Sequence, residues 1–443
     1  PQYRNTAALG VICALLGVEA GNAAKIVGEA FISKHPEAVE GNRGAFEKAH
    51  AWAEGKSSFA RKLPPGNGRN RIVLNGNEAL ALGAISAGLR FGAFYPMTPS
   101  TSVSLTAIAL AERMGLVVEQ AEDEIAAINM AIGASFAGAP SMVATSGGGF
   151  ALMIEGVSLA GMTETPVVIV VAQRPAPATG LPTRTEQADL EFVLHAGHGE
   201  FPRAIFAPGS IEECFHLARR AFFSAEKYQT PIFILTDQYL ADSYRAVAPF
   251  DVTGIDWVMP VVDYDAIAEP YRRHAFTESG VSPRLLPGLS RHLVVTDSDE
   301  HTEDGHITED LAIRKRMVEK RLKKSEGMRR EVVAPTYTGG ENPELLLVSW
   351  GSTRGSVAEA AASIRDNGVD VATLHFSQVW PLAPEQFLER LKGAGSVICI
   401  EGNAFGQLAR LIRRETGFMV EERVSRYDGL PITPEYILKE LSI

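Results

Sequence analysis

At 443 residues the chain is too long for one typical hydrophobic core and calls for two or three domains. With 46% apolar and 21% charged residues, 41 Gly and 25 Pro, it has the composition of an α/β globular protein, and its net charge of -11 argues against nucleic acid as a partner. Its cysteines, Cys13, Cys214 and Cys399, include no C-x-x-C pair, which excludes a disulfide framework and any zinc or iron–sulfur site housed by this chain alone.

The longest apolar run, Pro166 to Ala172, is too short to span a bilayer, and no charged segment followed by an apolar core opens the chain. The expectation is a cytoplasmic protein with no membrane partner. The chain begins at Pro1 without a Met, as a processed or partial polypeptide would. Residues 1–62 read as helices: Ala7, Leu9, Ile12, Leu15 and Leu16 share one face, and Ala45, Phe46, Ala49, His50 and Ala53 line another. This segment is small for an independent core and reads as the tail of something larger. Leu63 to Asn70, with Pro64-Pro65-Gly66-Asn67-Gly68, is a linker by composition.

Residues 71–250 alternate strand and helix. Phe91 to Pro96 is a short strand ending in a proline turn, and Ser102 to Met114 a helix. Gly115 to Gln120 is a strand, and a helix led by Glu124 follows. Ser141 to Ser146 is a strand running into Gly147-Gly148-Gly149, expected as a tight strand-to-helix turn. Pro166 to Ala172 is a β-branched run of the kind buried on both faces, as is Pro231 to Asp237, with the helix Ile211 to Tyr228 before it. The alternation predicts a doubly wound, mostly parallel α/β sheet, with chemistry beyond the carboxyl ends of its strands. Residues 251–340 are irregular, with Pro260, Pro270, Pro283 and Pro287, then a basic helix from Ile313 to Lys324; such a segment usually wraps a neighbour or forms an interface. Asp299, Glu300, His301, Asp304 and His306 match no metal-ligand spacing and are expected in a solvated loop, so no metal site is assigned. From residue 341 to 443 the alternation resumes in a smaller α/β domain.

The helix after Glu122-Asp123-Glu124 carries Ile125, Ala126, Ala127, Ile128, Met130, Ala131, Ile132, Gly133, Ala134 and Ala137. A helix apolar on all sides is expected to be buried, and a carboxyl group at its edge then needs a partner or a raised pKa. One reading is that the three carboxylates only complement the helix dipole. The other is chemical. Thiamine diphosphate is activated when a buried Glu protonates its aminopyrimidine ring, so that the opposite amine removes the proton of the thiazolium carbon.

The loops taken together decide between these. Tyr95-Pro96-Met97-Thr98-Pro99-Ser100 resembles the Y-P-I-T-P-S segment of 2-oxoacid:ferredoxin oxidoreductase alpha subunits, with Met97 a volume-conserving replacement of Ile. Glu122-x-Glu124, Thr145-Ser146-Gly147-Gly148-Gly149, Gln173-Arg174-Pro175 and Thr179 through Leu190 are similar to the same family, as are Gly402-Asn403 with Gly406-Gln407 and Tyr427 through Ile432. The resemblance covers about residues 71 to 443, and residues 1–62 are similar to the end of the family's gamma domain. It implies a thiamine-diphosphate pyrimidine-binding domain and a transketolase C-terminal-like α/β domain. It further implies that Glu124 activates the aminopyrimidine, that Pro96 lines the cofactor, and that Thr98 and Arg174 hold the 2-oxoacid head group. Arg184 is a looser candidate for a second substrate carboxylate or for an ion pair with Glu186, and Thr98 alternatively an N-cap or turn residue.

No G-D-G with a later N-N is present, so a beta subunit is expected to supply the diphosphate site with Mg²⁺ and the [4Fe–4S] cluster, in an (alpha-beta)2 heterotetramer that reduces ferredoxin and uses coenzyme A. The implied reaction is reversible oxidative decarboxylation of 2-oxoglutarate to succinyl-CoA and CO₂. Pyruvate or a branched-chain 2-oxoacid is the alternative substrate, and a non-redox thiamine-dependent decarboxylase subunit or a silent assembly subunit the alternative role.

Overall fold

The computed structural model describes residues 2–33, 35–54, 56, 62–64, 69–253, 267 and 269–442. The linker residues 65–68 and Pro260 lie outside the described residues. Contacts divide the chain into two units, Pro1–Asn70 and Arg71–Ile443. The first unit packs α1 (Arg4–Leu16), α2 (Ala20–Ile32) and α3 (Val39–Glu54) around Cys13, Ala24, Val27 and Phe46. Gly10 marks the closest approach of α1 to α3: a Cβ there would lie 2.5 Å from the carbonyl oxygen of Phe46.

In the second unit β1 (Ile72–Leu74) leads to α4 (Gly76–Ser86), whose start is fixed by a reciprocal capping box between Asn75 and Glu78. Then come β2 (Phe91–Phe94), α5 (Thr101–Met114), β3 (Val117–Gln120), α6 (Glu124–Phe136), β4 (Ser141–Thr145), α7 (Gly147–Leu152) and α8 (Ile154–Met162). After β5 (Val167–Gln173) the chain forms α9 (Leu190–Leu194), β6 (Ala204–Phe206), α10 (Ile211–Tyr228), β7 (Pro231–Asp237), α11 (Gln238–Asp242) and β8 (Arg245–Val247). Every residue of β5 and β7 is buried, as their β-branched runs require of central strands. The basic helix α12 spans Leu311–Arg330. The last stretch holds β9 (Thr336–Thr338), β10 (Leu345–Trp350), α13 (Arg354–Asp366), β11 (Val371–Phe376), β12 (Gln378–Trp380), α14 (Leu388–Gly393), β13 (Ser396–Glu401), α15 (Gln407–Thr416), β14 (Glu422–Ser425) and α16 (Pro434–Glu440).

The larger sheet has the order β12-β6-β7-β5-β4-β2-β3, parallel except for the edge pair β12–β6. The second sheet, β14-β13-β10-β11-β9, is parallel except for β9. The architecture is α/β and doubly wound, as expected. Leaving the second sheet after β11, the chain places β12 on the edge of the first, so the two sheets share a strand-level connection. One apolar cluster runs from Ile128, Val143, Ile169 and Phe233 to Leu346, Val348, Phe376 and Leu411, joining the two sheets. A second cluster, with Leu80, Val103, Phe215 and Phe222, covers the far face of the first sheet.

Topology also fixes where a site can form. β3 lies on one side of β2 and β4 on the other, so the order reverses at β2. The helices leaving β2 and β3 pass to opposite faces: Val103 of α5 joins the second cluster, Ile128 of α6 the first. A crevice opens at such a switch point, beyond the carboxyl ends of the strands. No helix among the described residues is long and apolar enough to cross a membrane.

Candidate active site

Four strand ends meet at this crevice, and each delivers one of the motifs. At the end of β3 the acidic triplet divides its labour. Asp123 caps α6, its carboxylate accepting the Ala126 backbone N–H at 2.7 Å. Glu124 turns inward and is 3% exposed. Its Oε1 has no hydrogen-bond partner among the described residues. Burial pushes its pKa up, its own backbone N–H partly offsets this, and the like charge of Asp123 adds to the rise. The dipole reading therefore belongs to Asp123, whereas Glu124 is a desolvated carboxyl group.

The helix itself departs from expectation. Glu124, Ala127, Ile128, Ala131, Ile132 and Ser135 are buried, but Ile125 is 50% and Met130 42% exposed. An all-apolar helix thus has only one face covered by the described residues.

At the end of β4, Gly147 to Gly149 form the first turn of α7, and the chain turns at the N-cap Ser146 instead of within the glycines. Gly149 has a steric reason. A Cβ at this position would overlap both Thr145 Oγ1 and Glu124 Oε1. We expect Gly149→Ala to displace the Glu124 carboxyl group, lowering turnover at least about 100-fold for a stability cost of about 1–3 kcal/mol. Paired turnover and thermal-melting measurements check this, and full activity in the variant would mean that Glu124 is not held by its packing.

The β2 loop is tied down from several sides. Ser100 donates through Oγ to the Met97 carbonyl at 2.7 Å, and Asn77 Nδ2 donates to the Pro99 carbonyl at 2.8 Å. Arg174, at the end of β5, donates through Nη1 to the Thr98 carbonyl at 2.6 Å. Thr98 and Arg174, distant in sequence, are thereby in contact. The Thr98 side chain is exposed and caps nothing; Ser100 stands at the head of α5. Pro96 is exposed on the same loop, and Thr145 Oγ1 lies 4.0 Å from Met97 Sδ, linking this loop to the surroundings of Glu124. The Arg174 guanidinium is partly buried, which lowers its pKa.

Arg184 is exposed, and no ion pair joins it to Glu186 among the described residues. Burial, with the charge of Asp189 adding, raises Glu186 to about 7; burial raises Asp189 to about 6. The loop carrying these groups is stapled at both ends. Gln173 donates to the Thr236 carbonyl at 3.0 Å and accepts the Asp189 N–H at 2.9 Å. Gln187 exchanges bonds with the second sheet: its Nε2 donates to the Trp350 carbonyl at 2.9 Å and its Oε1 accepts the Gly402 N–H at 2.9 Å. Asn403 Nδ2 donates to the Gln187 carbonyl at 3.1 Å, and Thr185 N–H to the Gly429 carbonyl at 3.2 Å. The late motifs Gly402-Asn403 and Tyr427 to Ile432 are thus clamps on the loop that carries Arg184 to Asp189. Sequence reasoning missed Gln173 and Gln187 as staples and Thr145 and Gly149 as walls; their only sequence signal was membership of the motifs.

The histidine-rich stretch is a loop with Asp299, Asp304 and His306 exposed, as expected, but Glu300 and His301 are not solvated. His301 is fully buried, and Glu300 accepts from Arg321 through both oxygens, at 3.0 and 2.8 Å. Glu164, His274 and His301 place potential ligand atoms within 4.8 Å of one another. Yet Glu164 already pairs with Lys320 Nζ at 2.5 Å and with Lys324, so ammonium groups take the place a cation would fill. His274 donates from Nδ1 to Glu164 Oε1 at 3.1 Å, and its Nε2 accepts from Thr296 Oγ1 at 3.0 Å.

Similarity to known proteins agrees with this geometry. The family model described as pyruvate flavodoxin/ferredoxin oxidoreductase, thiamine diphosphate-binding, matches residues 82–320. The chain is 38% identical over 387 residues to 2-oxoacid:ferredoxin oxidoreductase 1, subunit alpha, of Sulfurisphaera tokodaii, covering 83% of this chain and 60% of that protein. It therefore spans less than two thirds of that relative's length. With the 2-oxoglutarate synthase subunit KorA of Archaeoglobus fulgidus it shares 33% identity over 367 residues, 83% of this chain and 97% of that one. The solved structure of 2-oxoglutarate:ferredoxin oxidoreductase from Magnetococcus marinus, with 2-oxoglutarate, coenzyme A and succinyl-CoA bound, aligns over 99% of this chain and 77% of its own with a TM-score of 0.90 and 32% identity. The chain belongs to the pyruvate flavodoxin/ferredoxin oxidoreductase family through its thiamine diphosphate-binding domain.

Proposed function

We propose that this chain is the alpha subunit of a 2-oxoacid:ferredoxin oxidoreductase that converts 2-oxoglutarate and coenzyme A to succinyl-CoA and CO₂, passing two electrons singly to ferredoxin. The observation that carries the reading is Glu124: a buried, desolvated carboxyl group whose Oε1 is unpartnered among the described residues, at the switch point of a doubly wound sheet. That unsatisfied atom suits the aminopyrimidine of thiamine diphosphate, with Pro96 exposed on the β2 loop, while Gly149 leaves the room in which the Glu124 carboxyl group itself sits. When bound, thiamine diphosphate supplies the nucleophilic carbon and the electron sink that decarboxylation of a 2-oxoacid requires.

In this reading Glu124 would hold a proton at its carboxyl group and exchange it with the aminopyrimidine of bound thiamine diphosphate. Arg174 keeps one guanidinium nitrogen on the Thr98 carbonyl, leaving its other N–H groups for the substrate carboxylate. The exposed Thr98 hydroxyl holds the keto oxygen, and Arg184 takes the second carboxylate. The diphosphate, Mg²⁺ and [4Fe–4S] cluster belong to a beta subunit. In support, Leu105 and Ile108 of α5 and Ile125 and Met130 of α6 remain exposed, at 54%, 44%, 50% and 42%. Exposed apolar side chains on helices at both faces of the sheet suit a partner chain.

Purifying the chain with its native partner, counting iron and assaying 2-oxoacid- and CoA-dependent reduction of a viologen dye tests the reading. Iron with 2-oxoglutarate-dependent reduction supports it; a thiamine complex without iron overturns it in favour of a non-redox decarboxylase. A broader substrate remains the second reading, favoured by the general 2-oxoacid name of the Sulfurisphaera relative. Arg184→Gln separates the two. We expect kcat/KM for 2-oxoglutarate to fall about 10- to 100-fold, the worth of one charged hydrogen bond, and that for pyruvate to stay within about threefold. Equal losses on both substrates would remove Arg184 from the site.

A further inference from the structure

Thr145 ends β4 fully buried, beside Glu124. One Cβ position built on Gly149 would overlap both Thr145 Oγ1 and Glu124 Oε1, so the two oxygens flank a single point. The hydroxyl is poorly engaged: its bonds are a 3.3 Å contact to the Ser146 carbonyl and a 4.0 Å contact to Met97 Sδ. Oε1, in turn, is a buried acceptor with no partner among the described residues. A weakly bound donor next to an unsatisfied carboxylate gains by turning to it, because a hydrogen bond to a charged acceptor is about twice as strong as one to a neutral group.

We propose that Thr145 is the positioning residue of Glu124, its hydroxyl donating to Oε1 when the carboxyl group is ionised and fixing the direction in which its proton is presented. The claim rests on the reading of Glu124 as the proton-exchanging group. Glu186 and Asp189 are the other carboxyl groups of the site with raised pKa values, and Asp189 packs against Gly147 at the head of α7. The elements packed closest to α6, namely β2, β4, β5, α7 and α8, carry one titratable side chain between them, the exposed Glu155. On α6 itself the neighbouring charge is Asp123, already engaged as the cap. Met97 contributes a soft, weak acceptor on the other side of the hydroxyl and ties its orientation to the Thr98 loop. The same hydroxyl therefore lies between the loop assigned to the substrate, through Met97, and the group assigned to the cofactor, across the point that Gly149 keeps free of a Cβ.

The test compares Thr145→Val, which keeps the shape and deletes the hydroxyl, with Thr145→Ser, which restores it. The Glu124 carboxyl group is titrated by infrared difference spectroscopy in the cofactor-free complex, with Glu124→Gln as the blank. Thr145→Val is expected to raise the titration midpoint by about one pH unit, a tenfold change in proton affinity, and Thr145→Ser to return it to within about 0.3 unit. The pH–rate profile of the loaded complex should move in the same direction for Val and not for Ser. An unchanged midpoint in Thr145→Val overturns the proposal, as does an equal shift in Val and Ser. The Glu124→Gln turnover is read separately: full activity there would overturn the role of Glu124, whereas the titration alone decides the contact with Thr145.

Discussion

Glu124→Gln is expected to lower turnover of the assembled complex at least about 1,000-fold while leaving the fold and partner binding intact. The substitution keeps the side-chain volume in its slot against Gly149 and removes only the transferable proton, which general acid–base catalysis values at about 10²- to 10⁴-fold. Stability should respond in the opposite sense to activity. A carboxyl group whose folded pKa lies above its unfolded value of about 4.3 contributes stability that is fully present below that value and is lost as pH rises through the folded pKa. At neutral pH wild-type Glu124 thus strains the fold, and the Gln variant should melt no lower than wild type. Its stability should also fall less as the pH is raised from 4 to 8. Turnover within tenfold of wild type would show that Glu124 has only a structural place. A melting point well below wild type at pH 8 would show that its carboxylate is held by more than the Thr145 hydroxyl.

The sequence made the sheet legible because β5 and β7 are continuous β-branched runs with no alternative fate. It was less legible where short strands borrow their stability from neighbours. β6 and β12 are three residues each: β6 is held between β7 and β12, and β12 forms the sheet edge by pairing with β6 across a long separation in the chain. The acidic triplet at Glu122 to Glu124 shows the limit for sites. Two adjacent carboxylates with similar propensities take opposite roles, Asp123 as cap and Glu124 as buried acid, and the room for the buried one is left by Gly149, far along the chain. α6 shows the converse: its apolar circumference predicted full burial, but one face has no cover among the described residues. Apolar pattern reports what will be covered in the assembly, not which chain covers it.

The same point governs the other large effect, at Glu164, where a segment with little regular structure is held by charge. Burial alone would raise this carboxyl group, but Lys324, Lys320 and the hydrogen bond from His274 hold it well below the usual carboxylate range. His274 and both lysines come from the stretch that follows β8, whereas Glu164 sits in the turn between α8 and β5. Arg273 adds a bond from Nη2 to the Glu164 carbonyl at 2.7 Å and one from Nη1 to Gln229 Oε1 at 2.8 Å. Glu164→Gln leaves two ammonium groups buried without a counter-charge, and breaking one partner of such a pair costs about 3–5 kcal/mol. The expected result is a clearly lowered melting temperature and new proteolytic cleavage between residues 269 and 310. Because the folded pKa is depressed, the contribution of Glu164 is present above about pH 4.3 and is lost as pH falls through the folded value. The variant should therefore show a smaller acid-induced drop in stability than wild type. Adding Lys320→Met and Lys324→Met to Glu164→Gln removes the orphaned charges and should recover at least half of the loss, since apolar replacement of a whole buried ion cluster is often neutral or better. A Glu164→Gln variant as stable and as protease-resistant as wild type would mean that apolar packing around Leu285, Leu286 and Met317 holds the segment without the ion cluster.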